Sequence, residues 1–146
     1  MNIFDFLTEE AQSVGKRFHS VVDHYPPKAD WSWDRTFDET KKDIMMLLEH
    51  LKKESFVESA IQDLDKVNEQ ISEAALQRQE IDNSVDHVLM IHVDEAGFKE
   101  GLKSIADKLD QHTNFCAHSY YPLLQQHMSP DQMQNIQDQL EFSLPG

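Results

Sequence analysis

The chain has 146 residues, with 13 Lys and Arg against 27 Asp and Glu, a formal net charge of −14. A surface that acidic repels phosphate backbones and anionic headgroups, which sets nucleic acid and membrane aside as partners. No apolar run approaches the roughly 18 residues of a membrane span, Met1–Leu7 lacks the basic stretch of a secretory signal, and the single cysteine, Cys116, excludes an internal disulfide. The expectation is one acidic domain over residues 1–146, working in the cytoplasm.

Helix formers dominate, and neither Gly nor Pro occurs from Thr36 to Ala96. In residues 3–24, Phe4, Leu7, Ala11, Val14, Phe18 and Val21 recur at intervals of three and four, the stripe of an amphipathic helix. Pro26 and Pro27 end it, and the tract to Arg35 reads as a loop in which Trp31 and Trp33 lid the end of the fold. Thr36 followed by Glu39 matches a capping box, which predicts a second helix from Phe37. A single rod over residues 37–96 would span about 90 Å, so a reversal is expected near residues 66–72. Gly97 should close the third helix. The fourth, residues 98–126, carries Phe98, Leu102, Ile105, Leu109, His112, Cys116 and Leu123 on one side, with Pro122 as its kink or end. Ser129, Pro130 and Gln132 then mark the start of a short closing helix over residues 130–142. The pattern predicts an all-α fold, an up-down four-helix bundle with a short C-terminal helix.

Polar residues interrupt these stripes. Leu47, His50, Glu54, Val57 and Ile61 share one face of the second helix, with His50 and Glu54 one turn apart. His112 and Cys116 stand in the same relation on the fourth, and on the third His87 lies one turn before Met90 and Ile91. Taken singly, each has a plain explanation. A histidine on an apolar stripe is usually a hydrogen-bonded core residue. Glu54 has Lys52 and Lys53 as neighbours for ion pairing, and a buried cysteine behaves as a small hydrophobe. Imidazoles converging from three helices beside a carboxylate point further, to a metal ion held in the bundle core. His92 falls about 140° round the helix from His87 and reads as a surface or interhelical residue. His19, His24, His118 and His127 lie at helix ends or off the stripes.

The order of these motifs resembles the hemerythrin-like, or HHE cation-binding, domain along nearly the whole chain. The residues that carry the likeness are Met1–Leu7 at the start, His50-Leu51-Lys52-Lys53-Glu54 as the HxxxE motif, Asp86-His87, and His112 followed by Tyr120–Leu124 and Met128–Asp131. The resemblance implies a non-haem iron site of one or two ions that takes dioxygen. Its ligands would be one histidine from the first helix, HxxxE from the second, a histidine from the third and HxxxE from the fourth. Two of those places differ here: Ala11 stands where the first histidine would fall, and Cys116 where the fourth-helix glutamate would. The ligand set that remains is His50, Glu54, His87 and His112, with Cys116 as a thiol donor. It suits one divalent ion such as iron(II) or zinc better than two ferric ions.

The expected function is therefore metal binding in the service of oxygen, redox or metal sensing or storage, without catalysis. Self-association into a homodimer is left open. The alternative is a metal-free bundle that acts as a structural or protein-interaction module. A mononuclear iron enzyme built on His87, His112 and Glu54 ranks last, since no general base or substrate site accompanies them.

Overall fold

The computed structural model describes residues 2–27, 31–61 and 67–143. It is all-helical, with no strand among the described residues: α1 (Ile3–Asp23), α2 (Trp33–Ala60), α3 (Asn68–Leu89), α4 (Ala96–Phe115), a π-helical turn (Cys116–Tyr120), α5 (Tyr121–Gln126) and α6 (Pro130–Ser143). No described helix is long and apolar enough to cross a membrane.

The expected stripe of α1 is the buried one, from Phe4 through Leu7, Ala11, Val14 and Phe18 to Val21. Asn2 caps the helix by accepting the Asp5 amide at 2.9 Å. α2 starts at Trp33, before the expected Phe37, because Ser32 takes the capping role and accepts the Arg35 amide at 3.0 Å. Thr36 is already inside the helix, where its hydroxyl donates to the Ser32 carbonyl. Trp31 lies between the His24 ring, at 4.4 Å, and the Arg35 guanidinium, at 4.3 Å. Trp33 stands edge-on to Tyr25.

α2 ends at Ala60 and α3 begins at Asn68, so residues 68–72 of the expected reversal are helical; residue 66, at its other end, lies outside the described residues. Gly97 does not close the third helix. α3 stops at Leu89, and Gly97 sits in the first turn of α4 after the N-cap Glu95. The expected 98–126 helix is interrupted by a π turn. A proline in an α-helix lacks the amide for the bond four residues back, and its ring collides with that carbonyl. Just before Pro122 the chain adopts a π turn in which the Tyr121 amide bonds the Cys116 carbonyl, five residues back. The extra residue shifts the buried face by one position, so Leu124 is buried where Leu123 was expected and Leu123 is only partly covered. At α6 the capping box forms as expected: Ser129 and Gln132 each accept the other's amide, at 3.1 and 2.8 Å.

α1 packs against α2 and α4, α3 against α4 and, less extensively, α2, while α6 lies against α2. The core falls into two apolar clusters. One gathers Val14, Phe18, Leu47, Ile81, Leu102 and Leu109; the other gathers Phe4, Leu7, Val57, Cys116, Tyr121, Leu124 and Ile136. Between them lies a polar layer.

α3 packs tightly against α4 at Gly101, where a Cβ would overlap Val88 Cγ2 and stand 3.3 Å from Val88 Cβ. Val88 is β-branched and cannot swing aside. Gly101→Ala should therefore destabilise the protein by about 1–3 kcal/mol in denaturant unfolding. Gly97→Ala meets only Ile91, at 3.7 Å, and should be neutral or stabilising by up to about 1 kcal/mol. Equal effects of the two would contradict the packing described.

Candidate metal centre

The polar layer is built from helix geometry. His50 and Glu54, one turn apart on the buried face of α2, are 1% and 4% exposed. His112 on α4 is 1% exposed and Cys116, at the start of the π turn, 2%. Glu54 Oε1 lies 2.8 Å from His112 Nε2 and 3.7 Å from Cys116 Sγ; Sγ is 3.5 Å from the same ring nitrogen. Glu54, His112 and Cys116 thus each offer a ligand atom within 4.8 Å of the others, and the group can hold a metal ion. Tetrahedral coordination with bonds of about 2.0–2.3 Å separates neighbouring ligand atoms by roughly 3.3–3.7 Å. The two contacts to Sγ already match that spacing, and the third requires His112 and Glu54 to part by about half an ångström.

Around these three stands a supporting shell. His50 Nε2 is 3.0 Å from Glu54 Oε2, an ion-pair contact too poorly aligned to be a hydrogen bond. Oε2 is consequently a buried carboxylate oxygen with no hydrogen-bond partner among the described residues. The other nitrogen of His50 meets Glu10 Oε1 at 2.8 Å, and Lys53 holds Glu10 Oε2 at 2.7 Å. His112 Nδ1–H donates to Gln77 Oε1 at 2.7 Å. The Tyr121 hydroxyl donates to Glu54 Oε1 at 3.4 Å. The result is an unbroken series Glu10, His50, Glu54, His112, Gln77 that touches α1, α2, α4 and α3. The hollow it encloses, lined also by Leu7, Thr8, Ala11 and Thr113, has no room for a water molecule.

Burial opposes charge on His50, but the carboxylates of Glu10 and Glu54 at its two nitrogens overcome it and raise its pKa from 6.5 to about 9. Burial likewise opposes ionisation of Glu54. The hydrogen bond from His112, the contact with His50 and the charge of both rings outweigh it and hold the carboxyl far below the ordinary range. For Cys116, burial and then the Glu54 charge push the thiol well up.

Of the residues expected in the site, His50, Glu54, His112 and Cys116 come together, and His87 does not. α3 and α4 run past each other in opposite directions: Gln77 meets His112, Ser84 meets Lys108 and Val88 meets Gly101. His87 lies ten residues along α3 from Gln77, about 15 Å from the level of the site. It also sits one residue off the buried face marked by Ile81, Val85 and Val88, so its side chain is exposed. At the level of the site α3 supplies Gln77. That residue and Glu10 were not singled out in the sequence, although Gln77 is spaced three after Ala74 and four before Ile81, and Glu10 borders the α1 stripe at Ala11. His92 is exposed beside Asp94, as expected, and His19 bonds Asp110 across α1 and α4. No family model, curated protein or solved structure matches the chain.

The charge pattern fixes a pH dependence for the metal-free protein. Because the folded pKa of His50 is raised, its contribution is complete below the unfolded value of 6.5 and is lost as the pH climbs through about 9. Glu54, whose pKa is depressed, contributes above its ordinary value of 4.5 and loses that contribution on acidification. With chelator present, the thermal midpoint should be lower at about pH 10 than at about pH 6, by the equivalent of roughly 3 kcal/mol. His50→Gln should remove most of that difference; an unchanged pH profile in the variant would show that His50 does not carry it.

Proposed function

We propose that the protein binds one divalent transition-metal ion in the core of a hemerythrin-like, up-down four-helix bundle, and that it stores or senses that metal. The observation that carries the proposal is the convergence of Glu54, His112 and Cys116, all buried and drawn from α2, α4 and the π turn, on Oε1 of a carboxylate whose other oxygen accepts no hydrogen bond among the described residues. Glu10–His50 with Arg17–Asp43 between α1 and α2, and Gln77–His112 with Ser84–Lys108 between α3 and α4, run in opposed register and support the up-down topology. Support for the family resemblance lies in the HxxxE geometry of His50 and Glu54 and in the place of His112.

A donor set of imidazole, carboxylate and thiol suits zinc, with iron(II) as the second candidate, because a thiol donor favours a softer ion than carboxylates alone do. Such an ion would supply Lewis acidity or a redox couple, and a closed, thiol-containing site fits storage or sensing better than oxygen carriage. His50 orients the Glu54 carboxylate from behind, as outer-shell partners of metal ligands do. A second reading, a metal-free structural or interaction module, is favoured by one observation. Every ring nitrogen of His50 and His112 already faces an oxygen, so the layer is electrostatically complete without an ion.

Protein loaded with zinc and desalted should carry about one equivalent by elemental analysis. His112→Ala should lose it, His87→Ala should retain it, and His50→Gln should bind about 10–100-fold more weakly. Cys116→Ser should shift preference away from zinc. Wild-type protein that retains neither zinc nor iron(II) would establish the metal-free reading instead.

A further inference from the structure

The buried centre has a neighbour on the surface. Between the start of α1 and α5 runs a groove of about 540 Å³ lined by Phe4, Asp5, Thr8, Glu9, Tyr121 and Gln125, among others. Two of these residues, Thr8 and Tyr121, also line the hollow around Glu54, His112 and Cys116. Thr8 and Tyr121 therefore stand between groove and centre. Thr8 is tied down, its hydroxyl donating to the Phe4 carbonyl at 2.9 Å. Tyr121 is 6% exposed, packs its ring 5.0 Å from that of Phe4, and directs its hydroxyl to Glu54 Oε1. Asp5 and Glu9 are exposed on the groove. On the far side of the partition lies the Glu54 carboxylate, buried, its Oε2 without a hydrogen-bond partner among the described residues.

We propose that this groove is the loading site through which a divalent cation reaches the buried centre, with Asp5 and Glu9 collecting the ion and the Tyr121 ring as the plug that must move. The proposal rests on the metal-binding reading above. Paired carboxylates at the mouth of a concave surface raise the local concentration of cations and speed their capture, an effect that falls with ionic strength. Tyr121 is also well placed to move. It directly follows the π turn, whose hydrogen bonding differs from that of the helices on either side, and such turns commonly accompany functional sites. No other groove residue joins the centre, since only Thr8 and Tyr121 are common to the two linings.

Two rates test this on the full chain: zinc uptake followed with a chromophoric indicator, and zinc removal by excess chelator. Tyr121→Ala should speed both by about tenfold or more, because no aromatic ring must open. Tyr121→Phe, which keeps the ring and loses only the hydroxyl, should exchange close to the wild-type rate. Asp5→Asn with Glu9→Gln should slow uptake by about tenfold at low salt, flatten its salt dependence and leave the zinc stoichiometry as it was. Labelling of the Cys116 thiol in metal-free protein by a small methanethiosulfonate gives a readout independent of metal. It should be faster in Tyr121→Ala and unchanged in Tyr121→Phe. Normal zinc stoichiometry with the same exchange and labelling rates in wild type and Tyr121→Ala would overturn the route alone. If Tyr121→Ala does not fold, a carboxylate-neutralised variant that takes up zinc at the wild-type rate in low salt overturns it. Wild-type protein that takes up no zinc removes the metal-binding reading, and the route with it.

Discussion

Everything in this bundle is arranged around one ionised carboxylate, that of Glu54, kept in the core by imidazoles on either side. Taking a lone carboxylate out of water costs far more than any single contact returns, so the group persists only because His112 and His50 approach its two oxygens from different helices. Those rings need partners at their outer nitrogens, and Gln77 on α3 and Glu10 on α1 supply them. One buried charge thereby sets the rotation and height of four helices. Sliding any one of them by a turn would leave a charged or polar atom uncompensated, a cost of about 3–5 kcal/mol for a broken buried pair. Apolar packing alone tolerates such slips far better.

The same arrangement explains how a group able to hold a metal ion and a self-contained hydrogen-bonded layer coexist in the same side chains. Hydrogen bonds of 2.7–2.8 Å to His112 close the layer, while the longer contacts of Cys116 leave its sulfur at a distance suited to coordination. A thiol beside the carboxylate and imidazole favours softer ions than oxygen and nitrogen donors alone would. Beneath it, Glu58 joins Arg78 on α3 to the Tyr120 hydroxyl of the π turn at 2.9 and 2.6 Å, a second polar tie one turn along α2.

Much of this was legible from spacing. The stripes of α1 and α2, the capping box of α6 and the inward placement of His50, Glu54, His112 and Cys116 all follow from a 3.6-residue period applied to this chain. What escaped was long-range or locally ambiguous. Thr36, with Glu39 behind it, is the cap that the sequence predicts for α2, whereas the chain uses Ser32, four residues earlier. His87 neighbours apolar residues in sequence, but the height at which α3 meets α4 depends on a turn with neither Gly nor Pro to mark it, so only coordinates reveal that Gln77 is level with His112. The π turn before Pro122 is a choice among ways of accommodating a proline, and the sequence does not say which is taken.

The polar layer also divides the interior into two greasy halves, one around Leu47 and Leu109, the other around Val57 and Leu124. Neither half can melt by itself without letting water reach Glu54, and hydration of that carboxylate dissolves the attraction that pins the helices bordering the other half. The layer that looks like a seam in the core is thus what couples the two halves, so that the bundle opens as one cooperative unit instead of fraying from an end.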